Sequence, residues 1–252
     1  MTNHEATNAI LRILGLDSSP VAVRFIPTGD PVPAFETPYP RRFCQVLMQA
    51  RHGQKRLLTP DDVSCPAVAA ALGFRPLPEK LASGEMLVGF GIFASPEAGR
   101  RTVDSMLRLE PAKDAAVAVA PLSEADFDPD SVVVEGLPEQ LMWLALASVY
   151  DTGGRLEFST AVLQATCVDA GIIPFVTGKV NATLGCYGCR EATDLGEAEC
   201  VLGFPGHMLA KMAVNLQRLA AKAIPRVRAN TVYHHMGAGA ASGEGAPSCD
   251  HP

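Results

Sequence analysis

The 252-residue sequence has no apolar run long enough for a membrane crossing. Its longest largely apolar stretch, Leu141 to Tyr150, covers about ten residues against the ~20 of a spanning helix. No basic segment and small-residue cleavage site stand at the N-terminus (MTNHEATNAILRILGLDSSP), so export is not expected and a cytoplasmic location is. Charged residues are few, 19% against 48% hydrophobic, which excludes disorder of the chain as a whole. Positive charge is not in excess: the formal net charge of −6 argues against a general nucleic-acid binder.

Several motifs are missing as well. Arg190 stands where the haem-attachment pattern CxxCH needs histidine. The CxxxCxxC spacing of radical enzymes does not occur, and there is only one CxxC, so the paired knuckles of small zinc folds are lacking. Thr177-Gly178-Lys179 has no upstream GxxxxGK loop, and Gly89-Phe90-Gly91 lacks the dinucleotide fingerprint. Of the six histidines, His234, His235 and His251 fall in the C-terminal tail, which leaves His4, His52 and His207 and no Ser–His–acid set.

What is present reads as a folded α/β or α+β protein, one compact domain over residues 1–228 with a mixed sheet and packed helices. Helices are predicted at 5–14, 43–51, after Thr59-Pro60-Asp61-Asp62, from Cys65-Pro66 to Gly73, from Ser95-Pro96 to 109, at 138–150 and from Phe204-Pro205-Gly206 to 220. Strands are predicted at 20–26, 86–93, 115–121, 131–135, 179–184 and 199–203. Three strand–proline–helix units are thus expected. Residues 229–252, rich in Gly, Ala and Ser, read as a flexible tail.

The chemistry-bearing feature is cysteine. Seven cysteines without an export signal point to a reducing compartment, where thiols serve as ligands or redox groups. Gly185-Cys186-Tyr187-Gly188-Cys189-Arg190 can turn two sulfurs to one side of a tight loop. Cys44 on a helix and Cys65 at a helix N-cap complete four thiols from three segments. That set suits a four-thiolate iron–sulfur cluster. A dithiol site needs only Cys186 and Cys189, and structural zinc or plain buried cysteines remain alternatives. Arg41, Arg42, Arg51, His52, Lys55, Arg56 and Arg190 flank these cysteines and would balance an anionic cofactor, with Arg51 and Arg190 the expected tuning groups. Cys167, in an expected helix, is a fifth thiol; Cys200 is read as packing, and Cys249 lies in the tail.

The stretches PVAVRF, RFCQVLMQARHG, DDVSCPAVAAALGF, LVGFGIFASPEAGRRT, TGGRLEFST and GKVNATLGCYGCREATD resemble the ArCR family, a prokaryotic domain of unknown function (DUF169). The resemblance runs from about Leu14 to Arg228 and implies a cytoplasmic protein with a cysteine-ligated cofactor, but no activity. The expectation is therefore a [4Fe-4S] protein on Cys44, Cys65, Cys186 and Cys189. It would transfer electrons with a redox partner protein, or work on a small anionic or carbonyl ligand near Arg155 and Lys179. The alternatives are a Cys186/Cys189 thiol oxidoreductase and a zinc-binding module.

Overall fold

The computed structural model describes residues 1–37, 39, 41–111, 116–161, 163–230 and 232–233. His234, His235, Cys249 and His251, and with them nearly all of the expected tail, lie outside the described residues. In chain order the elements are α1 (Asn3–Leu14), β1 (Val21–Ile26), α2 (Phe43–Arg51), β2 (Arg56–Leu58), α3 (Pro66–Ala71), α4 (Glu79–Ala82), α5 (Glu85–Gly89), α6 (Pro96–Asp104) and β3 (Ala116–Pro121). They continue with β4 (Ser131–Gly136), α7 (Pro138–Val149), a π-helix (Ala165–Ile172), α8 (Ile173–Thr177), β5 (Asn181–Thr183), α9 (Tyr187–Ala192), β6 (Cys200–Pro205) and α10 (Leu209–Arg228).

Alternation along the strands builds three layers. The sheet order is β2-β3-β1-β4-β6-β5. Ala22, Val132, Val134, Leu202 and Phe204 face one side and pack with Ile10, Leu144 and Leu216 of α1, α7 and α10. Val21, Val23, Val117, Val119, Val133 and Val201 face the other, under Phe43, Leu47, Val68, Val168 and Ile172 of α2, α3 and the π-helix. The cysteine-bearing helices all belong to this second side.

Each named ladder is antiparallel. The class is therefore α+β, and the parallel pairs of a mixed sheet do not occur among the named strands. The reason is connection geometry: β1 and its neighbour β3 are joined through α2 to α6 and come back in opposite sense, not through one crossover helix.

Two local expectations fail. Thr59 does not start a helix: its N–H and hydroxyl both donate to Asp62 Oδ2, at 2.8 and 2.6 Å, which closes a tight turn. The stretch at 86–93 is not a strand. Gly84, in the left-handed region at φ 85°, starts α5 instead, and only Leu87 of that helix is buried. The strand–proline–helix units therefore number two. Elsewhere, Ser95 caps α6 by accepting the Ala98 N–H, though α6 ends at Asp104. Cys65 is the N-cap residue of α3 with Pro66 at the first helical position.

Candidate functional site

The π-helix organises the site. Its extra residue per turn leaves it shallowly wound, and its backbone lies against β6: a side chain at Gly203 would meet Ala170 O at 1.8 Å. Sheet side chains tie down its carbonyls, with Ser131 Oγ donating to Gly171 O (2.8 Å) and Asn181 Nδ2 to Asp169 O (2.7 Å). Its first residue follows Gln164, a non-glycine residue in the left-handed region at φ 62°. Such strain and such helices cluster at functional sites.

A cavity of about 390 Å³ opens where this helix meets α2, α3 and α9. Cys44, Cys65, Cys167, Cys186 and Cys189 all line it. The four cysteines expected together are together, and Cys167 joins them. Cys200 is elsewhere, packed on the opposite face of the sheet.

Each sulfur has a distinct setting. Cys186 is the N-cap of α9, and its sulfur accepts the Cys189 N–H at 3.3 Å. Burial pushes its thiol up, against the pull of amides of Ala165, Cys189 and Gln164. Cys189 is pulled the other way. A hydrogen bond from Cys44 lowers its pKa, and the hydroxyls of Thr166 (3.0 Å) and Thr193 (3.5 Å) stand beside its sulfur. Cys44 is correspondingly pushed up as the donor. Cys167 is raised by burial and by neighbouring thiols. Among these buried thiols Cys189 is the one whose pKa is drawn down, while Cys44, Cys167 and Cys186 are pushed up. Among the described residues, no group of three or more His, Cys, Asp or Glu is arranged to hold a metal ion, although five cysteines line one cavity.

Of the cations expected around the cysteines, Arg42 borders the cavity, and the two expected tuning groups, Arg51 and Arg190, do not. Arg51 lies two turns along α2 from Cys44 and turns to a buried ion cluster. Its Nη1 and Nη2 bind Glu199 at 3.1 and 2.5 Å, its Nε binds Ser18 Oγ at 2.6 Å, and Glu135 Oε2 lies 3.5 Å away. Arg190 donates to three backbone carbonyls, of Leu184, Gly196 and Glu199, and fastens the loop around the CxxC. Its charge still favours the Cys189 thiolate. Arg155 and Lys179 are exposed and line neither this cavity nor its neighbour.

Three contributors had weaker signals in the sequence. Arg42 lines the cavity, with Nη1 donating to Gly188 O and Glu191 Oε2, both at 2.8 Å. Thr166, next to Cys167 in sequence, supplies the hydroxyl on Cys189. Glu135 is a buried carboxyl whose Oε1 has no hydrogen-bond partner, and burial raises its pKa to about 8. Its signal was a lone acid in the apolar strand SVVVEG, in phase with the inward-facing Val133.

No solved structure matches the chain. Among the described residues, no helix is long and apolar enough to cross a membrane. An uncharacterized protein of Methanocaldococcus jannaschii is 35% identical over 209 residues, covering 81% of this chain and 89% of the archaeal one. Residues 9–215, which include all five cavity cysteines, match the model of the family described as uncharacterised ArCR, DUF169. The chain belongs to the ArCR (DUF169) family.

Proposed function

We propose that this chain is an iron–sulfur protein in which Cys44, Cys65, Cys186 and Cys189 hold a cluster, of the [4Fe-4S] type, in the cysteine cavity. The observation that carries the reading is the convergence of thiols from distant segments, on α2, α3, the π-helix and α9, around one largely apolar space. The donor chemistry fits: the ligand types are sulfur, and Glu191 is the one carboxylate on the lining. A four-thiolate cluster uses all four of these cysteines and needs no second CxxC knuckle, which small structural-zinc folds usually bring. When bound, such a cluster would supply one-electron chemistry, either passed to a redox partner protein or used on a ligand in the same cavity.

The chain's own residues prepare the site. Thr166 and Cys44 stand against the Cys189 sulfur and favour its deprotonated form, as a ligand requires, while the Thr193 hydroxyl donates to the Cys189 carbonyl at 2.7 Å. Arg190 and its carbonyl partners fix the loop that carries Cys186 and Cys189.

A second reading, a thiol oxidoreductase, is favoured by one observation: the Cys189 N–H donates to the Cys186 sulfur at 3.3 Å, which holds the two CxxC residues close at the start of α9. Purification without oxygen separates the readings. The cluster predicts brown protein with iron and acid-labile sulfide near about four each per chain, lost in Cys186→Ser and reduced in Cys65→Ser. Colourless protein with stoichiometric zinc would replace the cluster with a structural metal. Colourless protein with neither would leave the dithiol, and full cofactor retention in Cys65→Ser would remove Cys65 from the ligand set.

A further inference from the structure

The wall of the cavity opposite the cysteines is built by a separate unit. Ala67, Leu81, Leu87 and Val103, from α3 to α6, form their own apolar cluster with Met86, Ile92 and Leu163 against it. The cysteines belong to the main core instead, and Cys65 packs against both clusters. The cavity is the seam between the two. The cap holds its own shape: Gly84 and Gly99 sit so close that a side chain on Gly84 would strike the α6 backbone at Pro96 O and Arg100 N. It cannot simply settle onto the cysteines. Apolar space left unfilled in a seam costs stability, because its lining forfeits contacts on one side.

The cation on the described lining already has an acidic partner: Arg42 Nη1 donates to Glu191 Oε2 and to Gly188 O. An anion would meet that balanced pair on one side and sulfurs on the other, Cys189 among them with its pKa drawn down. Two aromatic side chains, Phe90 (59% exposed) and Tyr187 (52% exposed), line the cavity and reach solvent. A volume of 390 Å³ lies at the lower end for small-molecule sites and is too small for a folded partner's element.

We infer that the seam between the cysteines and the α4–α6 cap is the binding site for a neutral, ring-bearing small molecule, held by the aliphatic cap and by Phe90 and Tyr187 at the mouth. The inference rests on the cysteine cavity being the functional site, and not on which cofactor the thiols hold. The ligand class differs from the small anionic or carbonyl ligand expected from sequence, because Arg155 and Lys179 do not line the cavity and the Arg42 charge is balanced by Glu191.

Two related fluorescent probes test it on the full-length protein as purified without oxygen. N-phenyl-1-naphthylamine is neutral, and 8-anilinonaphthalene-1-sulfonate carries nearly the same rings with a negative charge. The neutral probe is expected to bind saturably at one per chain, and the sulfonate about tenfold or more weaker, since an unpaired charge is costly in an apolar site. Phe90→Ala, on an exposed side chain, should weaken the neutral probe by roughly threefold to tenfold. Met86→Lys should abolish its binding while far-ultraviolet dichroism is unchanged. Non-saturable binding, equal or tighter binding of the sulfonate, or unchanged affinity in folded Phe90→Ala and Met86→Lys would overturn the inference. Iron and sulfide on the same samples report on the cluster separately. Iron-free protein that binds the neutral probe defeats the cluster alone, and iron-loaded protein without probe binding defeats this inference alone.

Discussion

The Thr166 hydroxyl lies 3.0 Å from the sulfur of Cys189, and both residues are buried. With the Cys44 thiol and Thr193 on other sides, this contact makes Cys189 the sulfur best able to carry negative charge.

Replacing Thr166 with valine keeps the shape and removes the donor. The Cys189 pKa should rise, and its alkylation in cofactor-free protein at pH 7 should slow by roughly tenfold, the worth of one hydrogen bond to a charged group. Rate against pH, read by mass spectrometry at Cys189, checks this; an unchanged profile would mean the hydroxyl does not hold the thiolate.

Glu135 imposes a pH dependence on stability. Burial raises its carboxyl pKa from 4.5 in the unfolded reference to about 8 in the fold. Between those values the folded chain binds the extra proton. Stability is therefore fullest below the unfolded pKa and is lost as pH rises through about 8. Glu135→Gln should melt higher than the parent at about pH 9 and close to it at about pH 5. Melting curves across that range test the sign.

Arg51 is expected to act on stability more than on the cofactor. Its guanidinium is the cation between Glu135 and Glu199. Arg51→Met leaves the Glu199 carboxylate without its cation, and above about pH 8 the Glu135 carboxylate as well; at about pH 9 it should cost about 3 kcal/mol in urea denaturation, as when one partner of a buried pair is removed. A variant with parental stability but altered cofactor content would return Arg51 to the tuning role expected from sequence.

Gly203 sits where the π-helix backbone touches β6. In Gly203→Ala the new carbon would fall 1.8 Å from Ala170 O, and backbone cannot yield cheaply. The loss should reach about 3 kcal/mol or more, with the cavity thiols disordered. Gly89→Ala is the control, with nothing within 4 Å of its added carbon, and should be neutral or slightly stabilising. Equal melting temperatures for the two variants would contradict the close approach.

Local punctuation carried much of the fold. Pro66 after Cys65, Ser95-Pro96 and Pro138 marked helix starts that the structure contains, because cap and first-turn geometry depend on a few neighbouring residues. The stretch from Met86 to Phe93 misled, because an apolar run states that something is buried and not with what period. There it serves short helices over a cavity. The grouping of Cys44, Cys65, Cys186 and Cys189 was legible from the CxxC between glycines and from Cys65 before Pro66, residue types that share one chemistry. The partners of Arg51 and Arg190 were not, because contacts such as Arg51 with Glu135 leave no spacing along the chain. Nor was the cap with its seam, which depends on how Gly84 meets Gly99.

The layer of α1, α7 and α10 against the sheet contains none of the five cavity cysteines. Half of the molecule can therefore consolidate while every thiol of the site is still free. In small zinc domains, by contrast, metal binding is the folding event. If the cysteine cavity takes a cofactor, protein lacking it should keep the layer of α1, α7 and α10 protected in hydrogen exchange, and any loosening should fall on the cysteine side.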